Sequence, residues 1–305
     1  MTRRTAVQLL AATACAASPR MLRGQAGRLP IAFSTLGCPA WTWRTILDVA
    51  AREGYSAVEL RGIQGELDLT KRQEFSPGTL PATLKDLRAL DIKVVCLGSS
   101  VQLHHREADV RAKHFDDGRR FVDLAAKLEA PYVRVFGDRL LEGEPKEAGV
   151  ARVADGLRQL AAHARGSRVE ILIESHGDFT DSPTLRTILQ SAGAGVALLW
   201  DAHHTAVAGK EAPQQTYAQL GSWVRHTHLK DSRPAEKGRQ YVLTGEGDVP
   251  VVETVRVLRQ AGYKGYYGFE WEKMWHPEIE EPEVAFPHYA KTMAEYLTAA
   301  GVKAT

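Results

Sequence analysis

Acidic residues and histidines recur at the ends of five short apolar segments of the sequence. These segments are "VELRG" with Glu59 and Arg61, "IESHGD" with Glu174 and His176, "WDAHH" with Asp201, His203 and His204, "HTHLKD" with His226, His228, Lys230 and Asp231, and "FEWE" with Glu270 and Glu272. Carboxylates and imidazoles are the side chains that most often hold divalent ions and move protons. A single glutamate at the end of a strand is more often part of a surface ion pair, so the recurrence carries the argument.

Four of these residues, from four consecutive segments, form the candidate metal-binding set. They are Glu174, Asp201, His228 and Glu270. Three carboxylates gathered beside one imidazole would repel one another unless a cation lay among them. A set of mostly oxygen donors favours Mn²⁺, Mg²⁺ or Co²⁺, whereas Zn²⁺ usually takes more histidine or cysteine. The sequence therefore predicts one divalent ion, with Mn²⁺ as the first choice. His226 shares a strand face with His228 and is expected to support it from behind.

Eight β-rich runs, separated by longer helical patterns, must position these residues. The runs cover residues 31–36, 56–61, 92–98, 132–137, 169–175, 196–201, 224–231 and 266–272. Strands that alternate with helices form a parallel sheet, and eight is the number that closes into a barrel. An open doubly wound sheet is the alternative, but "STLGCPAW" after the first run lacks its glycine-rich phosphate loop. We therefore predict an α/β fold, a single (β/α)8 TIM barrel over residues 29–300, with the polar strand ends at one mouth.

The first 26 residues are typical of an export signal. Arg3 and Arg4 precede an apolar run from Ala6 to Ala17, and a small-residue cleavage site follows at Ala26. The run is shorter than the roughly 20 apolar residues that span a bilayer, so the pattern predicts a twin-arginine-like signal and a periplasmic protein without a membrane anchor. Cys15 lies in this segment.

Composition sets further bounds on the function. The chain has 305 residues, a formal net charge of +2 and three cysteines. This charge gives no signal for a nucleic-acid partner or an anionic membrane, and the cysteines are too few for a disulfide scaffold. Pairing between Cys38 and Cys96, and formation of a homo-oligomer, remain open from the sequence.

Six stretches of the sequence resemble the xylose isomerase-like TIM-barrel superfamily of sugar isomerases and epimerases. The stretches are "GYSAVELR", "ILIESHG", "WDAHH", "HTHLKD", "GEGDVP" and "GYKGYYGFEWE". The resemblance implies that Glu174, Asp201, His228 and Glu270 are metal ligands and that His204 contacts the substrate. Arg233 resembles the substrate arginine of some epimerases, but its spacing from His228 is one residue shorter than in the ketose epimerases, so the sugar stays open.

A mechanism follows from this chemistry. A metal ion would polarise a sugar carbonyl, while Glu174 and Glu270 would remove and return a proton through an enediolate. The stereochemical outcome would be isomerisation or epimerisation. If a β-hydroxyl left instead, the reaction would be a dehydration, as in the inosose dehydratases of this superfamily. The predicted substrate-binding residues are His204, His176, Arg233, Lys230, Glu59, Arg61, Glu246 and Trp43.

Two other functions compete with a sugar enzyme. An endonuclease for abasic DNA would need more histidines and a basic groove, whereas Glu280, Glu281 and Glu283 near the predicted mouth are acidic. A non-catalytic exported sugar-binding protein would keep the barrel without needing the complete ligand set. The sequence therefore favours a small carbohydrate as the partner.

Overall fold

A closed barrel of eight parallel strands forms the centre of the computed structural model, which describes residues 28–301. The strands are β1 (Ile31–Ser34), β2 (Ala57–Leu60), β3 (Lys93–Gln102), β4 (Tyr132–Phe136), β5 (Glu170–Glu174), β6 (Val196–Asp201), β7 (Val224–Leu229) and β10 (Tyr267–Phe269). Their order around the barrel is β1-β10-β7-β6-β5-β4-β3-β2. The predicted TIM barrel is confirmed, and each of the eight predicted runs overlaps one barrel strand, although β3 extends beyond its predicted run to Gln102.

Helices connect and cover the strands. They are α1 (Trp43–Glu53), α2 (Leu80–Leu90), α3 (Ala108–Lys127), α4 (Lys146–Ala164), α5 (Ser182–Ala192), α6 (Ala202–Val207), α7 (Pro213–Leu220), α8 (Val251–Gln260) and α9 (Pro282–Ala299). Their starts follow local signals. The Thr42 hydroxyl accepts the Thr45 N–H at 3.2 Å before α1, and an Asp181 carboxylate oxygen accepts the Thr184 N–H at 2.9 Å before α5.

The interior of the barrel has an apolar layer below a polar one. Ala32, Ala57, Leu172 and Leu199 belong to a buried cluster of small and aliphatic side chains. Side chains two residues apart on a strand share a face, so the next inward residues are Ser34, Glu59, Glu174 and Asp201. The polar layer therefore lies toward the carboxyl ends of the strands, where barrel enzymes carry their active sites.

The segment "VRHTHLKD" is divided between two strands. β7 ends at Leu229, and Asp231 opens a short antiparallel hairpin formed by β8 (Asp231–Pro234) and β9 (Arg239–Val242). The buried Asp231 carboxylate accepts the backbone N–H groups of Gly245, Gly247 and Val249 at 2.9, 3.0 and 3.2 Å. Asp231 therefore holds the loop after β9 in place. The prediction of a single strand over 224–231 was wrong, because the strand ends at Leu229.

Three expectations concern the rest of the chain. The predicted export signal lies outside the described residues. Between Arg28 and Gly301, no helix is both long and apolar enough to cross a membrane. Cys38 and Cys96 are each buried and free, which answers the question that the sequence left open.

Candidate metal centre

Four buried side chains converge where β5, β6, β7 and β10 end. Glu174, Asp201, His228 and Glu270 each offer one ligand atom, and these atoms all lie within 4.8 Å of one another. The His228 Nδ1 atom lies 3.3 Å from Glu174 Oε1, 3.2 Å from Glu270 Oε1 and 3.9 Å from Asp201 Oδ2. The structure thus brings together all four residues of the predicted metal-binding set.

A buried glutamate orients the ligand face of His228. Glu59 Oε2 lies 2.9 Å from His228 Nε2 and 3.1 Å from His226 Nε2, while the Ser34 hydroxyl donates to Glu59 Oε1 at 3.0 Å. Burial alone would raise the pKa of Glu59, but the charges and hydrogen bonds of the two imidazoles lower it well below its usual value. An ionised Glu59 accepts both Nε2–H groups, which leaves His228 Nδ1 free toward the cluster.

This arrangement corrects the expectation for Glu59 and agrees with the one for His226. Glu59 is 1% exposed and lies behind His228, so its predicted role as a substrate contact gives way to a supporting one. His226 does lie behind the ligand, but it reaches His228 through Glu59, because both imidazoles bond to the same carboxylate oxygen.

Arg134 on β4 holds the first glutamate and was missed by sequence reasoning. Its Nε atom lies 3.0 Å from Glu174 Oε2, and its Nη1 atom donates to the Ser99 carbonyl at 2.9 Å. Burial raises the pKa of Glu174, but the charges of Arg134 and His228 and the hydrogen bond with His228 together outweigh this effect, so the net shift is downward. The sequence did contain a signal for this contact. Arg134 lies within the apolar run "YVRVF", and a buried charge needs a partner of opposite charge.

Lys230 holds Glu270 by an ion pair, as Arg134 holds Glu174. The Lys230 ammonium contacts Glu270 Oε2, and it lies 2.7 Å from Asp201 Oδ2 and 2.8 Å from Glu272 Oε1. Burial would lower the pKa of Lys230, but these three carboxylates raise it well above its usual value. Lys230 is therefore a fixed cation within the cluster, and Glu272 joins the site although it was not among the predicted site residues.

Arg61 lies beside this group at the end of β2. It is 6% exposed, and its Nη2 atom donates to the Ser100 hydroxyl at 3.1 Å. Its Nη1 atom is buried and has no hydrogen-bond partner within the described part of the chain. Burial, assisted by Arg134, lowers the pKa of Arg61 to about 10, so the side chain remains a cation with a free donor.

The buried charges of the centre balance when one divalent cation is added. The carboxylates are Glu59, Glu174, Asp201, Glu270 and Glu272, and the fixed cations are Arg61, Arg134 and Lys230. With all five carboxylates ionised and His228 neutral as a ligand, the group carries two excess negative charges. An uncompensated charge is costly in a buried site. Both the donor types and this excess therefore fit one divalent ion held by the four converging residues.

Two histidines stand beside the cluster on its outer side. His204 Nε2 lies 3.5 Å from Asp201 Oδ2, and its ring centroid is 4.9 Å from that of His176. Asp201 also caps α6 by accepting the His204 N–H at 3.0 Å, which fixes the start of that helix against the metal-binding set. Burial and the Lys230 charge lower the pKa of His204 to about 3, so this imidazole is neutral at ordinary pH.

Three other predicted substrate contacts make no hydrogen bond or ion pair with the four converging residues among residues 28–301. Arg233 is exposed on the β8–β9 hairpin, and Glu246 is exposed on the loop after β9. Trp43 is buried at the start of α1, where its ring packs edge-on against Phe75 at 5.6 Å. Trp43 therefore serves packing, and the structure does not bring Arg233 or Glu246 to the converging residues.

Residues 47–296 match the family model described as "Xylose isomerase-like TIM barrel". The chain belongs to this family. No match was found among curated proteins. Membership explains why the polar layer lies at the carboxyl ends of the strands, and the activity must be argued from the site itself.

Several solved structures share this xylose isomerase-like barrel. The probable 3-DHS dehydratase AsbF of Bacillus anthracis is 14% identical, with a TM-score of 0.71, and the match covers 87% of this chain and 99% of that one. A D-psicose 3-epimerase of Clostridium cellulolyticum H10, solved with D-tagatose, is 14% identical with a TM-score of 0.69, covering 88% and 99%. IolI, solved with a zinc atom, is 15% identical with a TM-score of 0.70, covering 89% and 98%. At such identities the likeness shows the fold alone.

Proposed function

We propose that this protein is a divalent-metal-dependent sugar isomerase or epimerase, which moves a proton next to a carbonyl group through an enediolate. The observation that carries the proposal is the placement of the two glutamates. β5 and β10 are separated by β6 and β7 in the barrel, so Glu174 and Glu270 approach His228 from different sides. Their Oε1 atoms lie 3.3 and 3.2 Å from the same Nδ1 atom. Mn²⁺ is the ion we propose, because the donors are mostly carboxylate oxygen.

Each glutamate has one oxygen on a fixed cation and the other directed to the cluster. Glu174 Oε2 faces Arg134, and Glu270 Oε2 contacts Lys230. This arrangement limits rotation of both carboxylates and supports a role in positioned proton transfer. When bound, the metal ion would polarise the substrate carbonyl and acidify the neighbouring C–H bond.

In the proposed reaction one glutamate removes the acidified proton and the other returns a proton. Both carboxylates have lowered pKa values, so the one that removes the proton begins in the ionised form that can accept it, and the other must take up a proton from solvent before it returns one. Delivery to the opposite face of the same carbon gives an epimer, and delivery to the neighbouring carbon gives an aldose–ketose shift. The neutral His204 and the free Nη1 donor of Arg61 are suited to holding sugar hydroxyl groups.

The direct test is exchange of substrate protons with solvent. Metal-free protein should be loaded with Mn²⁺ and incubated in D₂O with a panel of aldoses, ketoses, inososes and reducing disaccharides, and the products followed by NMR. We expect deuterium at the carbon next to the carbonyl group for at least one sugar, and none after chelation of the metal. An absence of exchange across the panel would leave a carbohydrate-binding protein as the better description.

A dehydratase is the second candidate, and Glu272 is the observation that favours it. Burial raises the pKa of this carboxyl group, although Lys230 acts in the opposite direction. A departing hydroxyl group needs a general acid beyond the two proton-carrying glutamates, and a carboxyl group with a raised pKa takes up a proton more readily than its neighbours. In the same exchange experiment, a product lacking one water would select the dehydratase.

We propose that the protein is exported through the twin-arginine route, because Arg3 and Arg4 precede a short apolar run. Replacing both residues with lysine should retain the precursor in the cytoplasm, as judged by cell fractionation. Equal amounts of wild-type and variant protein in the periplasm would count against this route.

A further inference from the structure

The loop after β10 presents a tryptophan to solvent beside the proposed active site. Trp275 is 51% exposed, and among residues 28–301 only Val284 is another exposed large hydrophobic side chain. The backbone N–H of Trp275 donates to the backbone carbonyl of Glu272, and the carboxylate of Glu272 contacts Lys230. Trp275 therefore lies one hydrogen-bonded turn after Glu272, which is part of the charged cluster.

Two aromatic rings connect the cluster to the loop that carries this tryptophan. The Lys230 ammonium lies 6.0 Å from the centre of the Tyr241 ring. The Tyr241 ring is 5.0 Å from that of His276, the residue next to Trp275. The loop that carries Trp275 therefore adjoins the charged cluster through Tyr241 and His276.

The loop that carries Trp275 is held rigidly. The buried Lys273 ammonium donates to the carbonyls of Pro277 and Ile279 at 2.7 and 2.6 Å and lies 2.8 Å from Glu281. The buried indole of Trp271 donates to the Glu280 carbonyl at 2.9 Å. A tryptophan exposed on a loop fixed in this way is ready for a ligand without the cost of ordering the loop.

From these observations we propose that Trp275 forms an outer subsite, which stacks against the second ring of a glycoside or disaccharide while the first ring reacts at the metal centre. The proposal rests on the proposed function, and it narrows the substrate to carbohydrates of at least two rings. His276, next to Trp275 in the chain, pairs with Glu278 at 3.1 Å, so the same loop carries groups that can hydrogen-bond to sugar hydroxyls. A second copy of this chain is a poorer occupant, since the core of a protein interface needs a larger apolar patch.

The test compares disaccharides with their monosaccharide. Mn²⁺-loaded full-length protein should be titrated by calorimetry with D-glucose, maltose, cellobiose and trehalose. The same titrations should be made with Trp275→Ala and with Val284→Ala, which removes the other exposed hydrophobic side chain. We expect at least one disaccharide to bind about 2- to 10-fold more tightly than glucose, the range for one aromatic contact. This preference should disappear in Trp275→Ala and persist in Val284→Ala.

Three results would overturn the outer subsite. They are equal affinity of glucose and all three disaccharides, a preference that survives in Trp275→Ala, and a change of oligomeric state in Trp275→Ala by light scattering. The last would make Trp275 a subunit contact. The proposed reaction is tested separately by deuterium exchange. A disaccharide preference without exchange would therefore contradict the proposed enzymatic activity and support the outer subsite.

Discussion

At the scale of single residues, the proposed chemistry depends on side chains that never touch the substrate. Glu59 connects two histidines and a serine below the metal-binding set, and one of those histidines is the ligand His228. Such partners fix the tautomer and the direction of a ligand imidazole. Glu59 is therefore a positioning residue whose effect should appear in metal binding.

Replacing Glu59 with glutamine tests this role. The amide has one acceptor oxygen and no charge, so it can no longer accept strongly from both imidazoles. We expect the affinity for Mn²⁺ to fall by about 10- to 100-fold, measured by calorimetric titration of the metal-free protein. Ser34→Ala, which removes only the bond to Glu59 Oε1, is the matched control and should lose less. An unchanged affinity in Glu59→Gln would show that His228 is oriented without this carboxylate.

The sequence was sufficient to predict the four converging residues but not their supports. Glu174, Asp201, His228 and Glu270 each end a recognisable strand, and parallel strands end at one mouth. Glu59 also ends a strand, and the pattern could not tell whether it faces the substrate or the back of His228. That distinction depends on side-chain contacts between strands that are distant in the chain.

At the scale of elements, close packing of β3 against β4 positions Arg134. Gly98 on β3 pairs with Arg134 on β4. A Cβ atom on Gly98 would lie 2.8 Å from Arg134 Nη2 and 2.9 Å from Arg61 Cδ. Both guanidinium groups therefore depend on the absence of a side chain at this position.

Gly98→Ala should displace the arginines and weaken the fold. Overpacking of this kind costs about 1–3 kcal/mol, and urea unfolding would measure it. Gly78→Ala is the matched control, because nothing lies within 4 Å of its added Cβ atom. Equal stability of the two variants, with the proposed activity retained in Gly98→Ala, would show that the guanidinium groups can move freely.

The order of strands and helices followed from the hydrophobic pattern, but the break between β7 and β8 did not. Apolar runs alternating with helical stripes indicate a barrel because a parallel sheet needs helices on its outer face. The break between β7 and β8 depends on Asp231 accepting three N–H groups from a loop that is distant in the chain. Local propensity carries no information on such a contact.

At the scale of the whole molecule, buried neutral histidines make the stability depend on pH. Burial, followed by the Lys230 charge, lowers the pKa of His203 to about 3. An unfolded histidine titrates near 6.5, so between these values the unfolded chain binds more protons than the folded one. The stabilising contribution is complete above about pH 6.5 and is lost as the pH falls toward 3.

We therefore expect the free energy of unfolding to decrease below about pH 6.5, by on the order of 1 kcal/mol per pH unit for His203. Urea unfolding between pH 7 and pH 5 would measure this slope before most carboxylates titrate. His203→Gln should have a shallower slope than the wild type, because the group that binds protons only in the unfolded chain is then absent. A His203→Gln slope equal to that of the wild type would contradict the buried neutral state.

The central claim is that Glu174 and Glu270 carry the proton. The deciding measurement is the rate of deuterium exchange at the substrate carbon in Glu174→Gln and Glu270→Gln at saturating Mn²⁺. Glutamine keeps an oxygen ligand but removes the base, so each variant should retain substantial metal binding and exchange about 10²- to 10⁴-fold more slowly. Asp201→Asn is the control, in which excess Mn²⁺ should restore much of the rate. Exchange at the wild-type rate in both glutamine variants would contradict the account and assign the proton transfer to other residues.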